Sequence, residues 1–414
     1  MIGTSSAINL SLLEEHFEEV AFLWGQWRRE KRSEKITMRD LRALERRIEA
    51  HAEALRGYGQ AASDFLRERL VTKDLLELWS AAWLWLRQEA PACGEELVRA
   101  YEQCAKPQGR DLIVEIVARA SNCAVESAFM VVLAGDDPAR QMHRLQLAAW
   151  RQASDPSVQL DKLLRHAEAV VRHSAWRSLV LYPKNLTPEQ TLAGALDENP
   201  EVREFALEAA VWAGQGWVLD HCRRAAGKPS LEHPAELRLL AALATEKDAA
   251  VVLGLAAKAE LGPLRYQLLG SYAQVEAVPL LLTAMTQSDP AAAAAAGVAF
   301  TRITGQTLKA VGKAQLPPKD SSAPDDFEKE FLEEVYLPDA KEASDYWESN
   351  RSKYSSGQRY SQGKPVPEAP PFSVELDIVS IREACQRAAF NNKPAPRGRE
   401  FERFPICSSL QSRD

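Results

Sequence analysis

A pattern that recurs between about residues 150 and 305 constrains this fold more than any other feature of the sequence. In four copies a valine or leucine precedes an arginine, and most copies place a small residue four positions after that valine or leucine. The period, roughly 27 to 35 residues, is typical of repeats built from a pair of helices. Because one pair cannot bury its apolar face alone, neighbouring pairs must stack. The repeat arginines are Arg172, Arg203, Arg238 and Arg265.

Signals for helix starts mark the same segment. Pro200, Pro263 and Pro290 lie near the starts of repeat helices, where a proline loses no needed hydrogen bond. Asn199 and Asp289 directly precede two of these prolines and can cap the helices. A fifth copy, "AAAAAAGVAF", keeps the frame of the repeat but lacks the arginine. Second helices lie between the copies, and the whole pattern resembles HEAT-like repeats.

The sequence on either side of the repeats has a different character. The N-terminal region contains amphipathic helical patterns such as "SLLEEHFEEVAFLW". After residue 310 the chain is rich in proline and acids, and it recovers helical spacing only through Ile378, Ile381 and Cys385. We therefore predict an all-α protein with an N-terminal helical region (1–105), an α-solenoid of HEAT-like helix-pair repeats (106–310), and an extended acidic segment that wraps the solenoid end and finishes in a helix (311–414).

Charge and composition limit the possible partners. The 414-residue chain has a net charge of -7, whereas proteins that bind nucleic acid usually present a basic surface. A basic protein partner is favoured, because complementary fields speed association. The N-terminus lacks the positive region and uninterrupted apolar core of a signal peptide, and apolar stretches are too short to span a membrane. We expect a cytoplasmic protein with no membrane partner and no direct nucleic-acid partner.

No motif for catalysis or cofactor binding stands out in the sequence. The histidines form no HExxH pattern, and there is no GxSxG elbow or glycine-rich phosphate loop. Glu14, His16 and Glu18 could lie on one helical turn as metal ligands, but a matching set on a partner helix is missing, so a solvated face is favoured. The dispersed cysteines indicate buried reduced thiols. We predict a non-enzymatic protein without metal or cofactor.

The repeat arginines have two interpretations. Arg172, Arg203, Arg238 and Arg265 could form a ladder that binds phosphates along a concave surface. The repeats also carry many acids, however, and the second helices show no sustained basic stripe. We favour a structural role in which each arginine ties neighbouring repeats together through carbonyls or carboxylates.

The acidic segment after the repeats is the most polarised part of the chain. Acids interleaved with aromatic residues could form a docking surface for a basic partner. The alternative is a solvated wrapping segment whose aromatic residues pack on the repeats. The candidate partner-binding residues are Asp325, Asp326, Glu328, Glu330, Glu333, Glu334, Asp339, Asp345 and Trp347.

The stretch "AFTRITGQTL" predicts the seam between the repeats and this segment. Gly305 can supply the left-handed residue that ends the last repeat helix. Arg302 lies on another face of that helix than Phe300 and Ile303. We expect Arg302 to hold the acidic segment, through Asp339 or a backbone carbonyl.

Several short stretches, taken in order, resemble a family of bacterial HEAT-repeat proteins whose members often lie among type VI secretion genes. This chain departs from the family in its weakened fifth repeat and in carrying Trp347 alone where members usually have more tryptophan. The family has no established catalytic residues to carry over. The stretches are "HFEEVAFLW", "LRALERRIEAHAEALRGYG", "AFTRITG", "YLPDA", "YWESN" and "GQRYSQGKP".

The resemblance implies a functional context. Repeat proteins beside secreted toxins can serve as immunity proteins that neutralise the cognate toxin in a stoichiometric complex. A cytoplasmic immunity protein would face a toxin that acts in the cytosol, most often a nuclease with a basic surface. An adaptor that helps load a secreted effector is the alternative function, and an enzyme that modifies nucleic acid is a third hypothesis.

Overall fold

The computed structural model of the chain describes residues 10–88, 93–120, 123–184, 186–316, 334–406 and Leu410. The described chain is mostly α-helical, as predicted, with two short two-stranded antiparallel sheets. No helix within the described ranges is both long and apolar enough to cross a membrane.

The helices of the first half of the chain follow closely on one another. They are α1 (Leu10–Glu30), α2 (Met38–Arg56), α3 (Gln60–Arg69), α4 (Leu75–Leu86), α5 (Cys93–Gln103), α6 (Pro107–Arg119), α7 (Cys123–Val132), α8 (Pro138–Arg151), α9 (Leu160–Leu164), α10 (Ala169–Leu181), α11 (Pro188–Ala195) and α12 (Pro200–Trp212).

The second half combines helices with the two sheets. Its elements are α13 (Trp217–Gly227), α14 (Pro234–Leu243), α15 (Ala249–Gly254), α16 (Leu264–Tyr272), α17 (Val278–Met285), α18 (Pro290–Thr304), β1 (Ala310–Gln315), β2 (Glu334–Pro338), α19 (Ala340–Asn350), β3 (Tyr360–Ser361), β4 (Lys364–Pro365) and α20 (Ile378–Phe390). Short 3-10 turns lie between or after these elements, including Glu246–Asp248 and Gly398–Phe401.

The chain divides into two compact units, each built from separate stretches of the sequence. The predicted divisions at 1–105, 106–310 and 311–414 remain predictions. The first unit consists of Met1–Arg32, Arg39–Ala209 and Arg397–Ser409, and the second of Ser33–Met38, Ala210–Pro396 and Leu410–Asp414.

Alternate helices of the first unit pack in a row. Each of α1, α4, α6, α8 and α10 contacts the next, while α5 packs on α7 outside this row. Tryptophans fill one end of the core: Trp24 and Trp27 are fully buried and stack with ring centroids 4.6 Å apart, and Phe404 meets both rings edge-on. Large aromatic rings bury more apolar area than any other side chain, so this cluster anchors the returning C-terminal segment within the first unit.

The second unit repeats this arrangement with α14, α16 and α18 in a row. β2 and β3 pack on α18, and α20 packs on α14. Residues 33–38 belong to this unit as a short strap with a turn at residues 34–35. Within it, Thr37 forms a bridge with Asp377 and the Met38 N–H donates to the carbonyl of Leu376.

Several predicted helix starts are confirmed. Asp289 caps α18 by accepting from the N–H groups of Ala291 and Ala292, and Pro290 is the first residue of that helix. Asn199 accepts from the N–H groups of Glu201 and Val202 at the start of α12. These contacts satisfy backbone donors that a helix leaves unpaired at its first turn.

The end of α18 matches the predicted left-handed stop. Gly305 has φ of 73°, a conformation that costs glycine little and other residues more. A Cβ on Gly305 would lie 2.6 Å from the carbonyl carbon and oxygen of Gln362. Glycine is therefore required here both for the turn and for the close approach of the 362–363 backbone.

Arg302 is fully buried in the second unit, where three carboxylates approach it. Its guanidinium donates to Glu34 at 3.1 Å and to Glu383 at 2.8 Å, and Asp377 lies 3.7 Å away. Burial alone would lower the pKa of Arg302, but the carboxylates raise it. Arg302 therefore joins α18 to the 33–38 strap and to α20.

This arrangement corrects the expected contact with Asp339. The Asp339 carboxylate instead caps α19, where it accepts from the N–H groups of Lys341 and Glu342 at 3.0 Å each. Arg359, rather than Arg302, donates to several backbone carbonyls. Its side chain is buried, and its guanidinium donates to the carbonyl oxygens of Ala241, Ala244, Ser271 and Tyr272.

We predict that Arg302→Met lowers the free energy of unfolding by about 3–5 kcal/mol, because it leaves three carboxylates without their buried counter-charge. Urea unfolding followed by circular dichroism measures the change. The control is Arg238→Met, a repeat arginine exposed on α14 of the same unit, for which we expect a change within about 0.5 kcal/mol. Equal destabilisation by the two variants would contradict the assigned role of Arg302.

Candidate protein-binding cleft

An open cleft of about 790 Å³ lies in the first unit. Residues of α9, α10 and α11, and of the turns that follow these helices, line it. This volume lies within the range of typical binding pockets, and the open shape suits a protruding segment of a larger partner. We call it the α9–α11 cleft.

Two local features bring α10 and α11 close together. Thr187 and Gln190 form a reciprocal capping box that begins α11. Gly194 faces the ring of Trp176, and a Cβ there would lie 2.5 Å from Trp176 Cζ2 and 2.7 Å from Ala206 Cβ. Because no larger residue fits, Gly194 allows α11 to pack directly on the buried indole.

Arg172 fixes the wall of the cleft. Its Nε and Nη2 donate to the two carboxylate oxygens of Asp197 at 2.7 and 2.8 Å, and its Nη1 donates to the carbonyls of His166 and Ala167. The hydrogen bonds from Arg172 to Asp197 raise the pKa of the arginine. This two-pronged geometry is among the strongest ion pairs in proteins, so Arg172 is committed to structure.

The remaining charges give the α9–α11 cleft an acidic character. Asp161, Glu189 and Glu198 are exposed along it, and Arg165 is the exposed cation among its lining residues. The Glu198 side chain is 87% exposed, and one of its oxygens lies 3.4 Å from Arg172 Nη2. Since Arg172 and Asp197 neutralise each other, the lining carries an excess of negative charge that a basic partner surface would complement.

The nine candidate partner-binding residues of the acidic segment lie in different environments or outside the described chain. Asp325, Asp326, Glu328, Glu330 and Glu333 lie outside the described residues. Glu334, on β2, accepts from the Lys313 ammonium of β1 at 2.9 Å, so its charge is balanced within the hairpin. Asp339 caps α19, as described above.

The other two candidates differ in exposure. Asp345 is exposed on α19, beside a shallow basin that also holds Lys309 and Lys341. Trp347 is half-buried and packs against Tyr354, with ring centroids 5.4 Å apart. Asp339 and Glu342 also line this basin, so its excess is one carboxylate, compared with two in the α9–α11 cleft.

The other repeat arginines do not share one role. Arg203 donates to the carbonyls of Asp197 and Glu198 at 3.0 Å each. Arg265 makes a 3.4 Å contact with Gln287 and lies over the Tyr266 ring. Arg238 is exposed and has no hydrogen bond or ion pair with any residue in the described ranges.

An arginine outside the repeat pattern forms an ion pair in the second unit. Arg223 of α13 donates to both oxygens of Asp248, at 2.7 and 3.1 Å. The sequence separation is 25 residues, the same as between Arg172 and Asp197. The signal that could have found this pair is therefore an arginine followed by aspartate at a fixed distance, rather than arginine at a fixed position in a repeat.

Comparisons with known proteins do not identify a family: the chain matches no protein-family model and no curated protein. Within the described ranges, no group of three or more His, Cys, Asp or Glu side chains could hold a metal ion. His16 and His51 meet through their Nδ1 atoms at 3.0 Å.

We predict that the Arg223–Asp248 pair makes stability depend on acid pH. Burial alone would raise the pKa of Asp248, but hydrogen bonds from Arg223 and Thr245 lower it to about 2. A lowered folded-state pKa adds stability above the unfolded value, about 2 kcal/mol here, which is lost as the pH falls from about 4 towards 2.

The test compares urea unfolding of the intact chain and Asp248→Asn between pH 6 and pH 3. The difference in unfolding free energy should be full at pH 6 and should shrink as the pH falls below about 4. A difference that stays constant over this range would show that Asp248 titrates as in the unfolded chain.

Proposed function

We propose that the protein is a non-enzymatic immunity protein that neutralises a cognate secreted toxin by forming a stoichiometric complex with it. The toxin we propose is a basic, cytosol-acting nuclease from a type VI secretion system, and the complex would form in the cytoplasm. The observation that carries the proposal is the excess of exposed carboxylates along the α9–α11 cleft.

The packing of the helices supports a binding scaffold of this kind. We propose that the rows of alternate helices in the two units are HEAT-like repeats of an α-solenoid. In such folds each helix pair contacts its neighbours and leaves an extended surface for partners. The rows α1–α4–α6–α8–α10 and α14–α16–α18 have the neighbour contacts that this interpretation requires.

Charge provides the physical basis for inhibition. A nuclease holds phosphates with a basic surface, and carboxylates placed along an open cleft can occupy that surface in place of the nucleic acid. Opposite charge mainly raises the association rate and selects the partner, whereas buried contacts supply most of the affinity. Glu189 and Glu198 are the exposed acids best placed to make the first encounter.

We predict that Glu189→Lys with Glu198→Lys weakens the protection of bacteria against the toxin. The experiment expresses the product of the neighbouring gene, as the presumed toxin, together with this chain or the double variant, and measures growth. Reversing two charges at the cleft should cut association by tenfold or more, on the order of the steering effects of charge complementarity.

The matched control is Glu68→Lys with Glu95→Lys, which makes the same change in net charge at exposed sites of the first unit away from the cleft. Glu95, like Glu189, lies in the first turn of a helix, so the effect on helix stability is matched. Protection should survive in the control. If the chain leaves toxicity unchanged but its loss stops delivery of the effector, the adaptor function is correct and the immunity proposal is wrong.

A further inference from the structure

A second, smaller cavity in the first unit has the opposite charge. Its volume is about 100 Å³, and it lies beside Trp24 and Trp27. Five cationic side chains and two carboxylates line it: Arg28, Lys31, Arg32, Arg119, Arg177, Glu115 and Glu402. We call it the Arg119 pocket.

The charged side chains of the Arg119 pocket differ in how deeply they are buried. Lys31, Glu115 and Arg119 are largely buried, with side chains 6%, 8% and 12% exposed. Arg28 and Arg32 are exposed at the rim. A buried floor with exposed arginines around its mouth concentrates field lines and attracts anions from solution.

The two carboxylates are already engaged. Glu115 accepts from Arg119 and, at 3.1 Å, from Arg177, while Glu402 accepts from Lys31. Burial alone would raise the pKa of Glu115, but Arg119 and Arg177 hold it below its ordinary value. Both acids are therefore paired, and the lining has three more cationic side chains than carboxylates.

Arg119 has donors that no described residue accepts. Its guanidinium lies over the rings of Trp24 and Trp150, at 5.8 and 5.2 Å from their centres. One nitrogen, Nη2, donates to Glu115, but Nε and Nη1 are buried without an acceptor in the described part of the chain. The indole nitrogen of Trp24, which also lines the pocket, is in the same situation.

Unsatisfied buried donors are costly, and charged ones most of all. Burial also lowers the pKa of Lys31 to about 8, even though Glu402 opposes this shift. An anion in the cavity would satisfy the free donors of Arg119 and favour the charged form of Lys31. The site is thus complementary to a ligand that carries both negative charge and several acceptor oxygens.

We propose that the Arg119 pocket binds a small tetrahedral oxyanion of the phosphate class. Arginine suits such groups because its planar fork offers parallel N–H donors. The excess of three cations matches a multiply charged anion better than a single carboxylate. The cavity is well below the 300 Å³ or so of a typical drug-sized pocket, so only a phosphate-sized group enters.

This site is independent of the proposed immunity function, because it uses other residues than the α9–α11 cleft. The phosphate group has two sources: free inorganic phosphate, or a phosphomonoester whose remainder stays outside the rim. The experiment therefore uses inorganic phosphate in one arm and phosphoserine in the other.

Calorimetric titration of the intact chain, at constant ionic strength set with sodium chloride, measures binding in each arm. The thermal unfolding midpoint should also rise with phosphate concentration, because a ligand that binds only the folded state stabilises it. Binding in either arm supports the proposal and identifies the source. No heat and no rise in midpoint beyond the effect of chloride would overturn it.

Variants assign the binding to this cavity. Arg119→Met should weaken phosphate affinity by about tenfold or more, as expected for loss of charged hydrogen bonds. Arg32→Gln, at the exposed rim, should keep the fold and weaken affinity by roughly two- to fivefold, which preserves the test if Arg119→Met fails to fold.

The control is Arg144→Gln. Arg144 is paired with Asp155 elsewhere in the first unit and has a side chain of similar burial to that of Arg119. It should bind phosphate with unchanged affinity. Equal affinities for the intact chain, Arg119→Met and Arg32→Gln would show that phosphate binds elsewhere and would overturn the assignment.

Discussion

The second unit depends on one buried cation. Arg302 is surrounded by Glu34, Asp377 and Glu383, which come from three separate parts of the chain. Removing these charges from water is costly, and the cost is offset only while all of them remain together. The network therefore acts as a condition for folding: the 33–38 strap and α20 must both reach α18 before its charge is balanced.

Several arginines in both units stabilise the fold through internal contacts. Arg172 and Arg223 each grip an aspartate 25 residues further along the chain, and Arg359 spans four backbone carbonyls. The guanidinium groups of these arginines already have internal partners, so they do not add to the charge offered to a ligand. What remains accessible along the α9–α11 cleft is acidic, while the Arg119 pocket keeps an excess of positive charge. The first unit thus has two cavities whose linings carry opposite net charge.

The sequence predicted what local chemistry determines. Apolar spacing gives the helices, Asp289 and Pro290 give the start of α18, and Gly305 gives its end, because each depends only on neighbouring residues. Long-range partners were not predictable. Arg302 meets Glu34 across 268 residues and Glu383 across 81, and no periodicity encodes such pairs. The β1–β2 sheet was missed because β1 is mostly exposed and β2 has only five residues, so neither strand gives a sustained alternation of apolar and polar residues. Two of the predicted acids, Glu334 and Asp339, have structural partners that only the fold supplies.

Hydrogen exchange of the intact chain, with and without the product of the neighbouring gene, tests whether the α9–α11 cleft binds the toxin. We expect slower exchange of backbone amides in α9, in α11 and in the turns that follow them, within a one-to-one complex that weakens as salt is raised. Protection confined to α19 and the β1–β2 sheet, or no protection at all, would contradict the assignment of the α9–α11 cleft as the surface that binds the toxin.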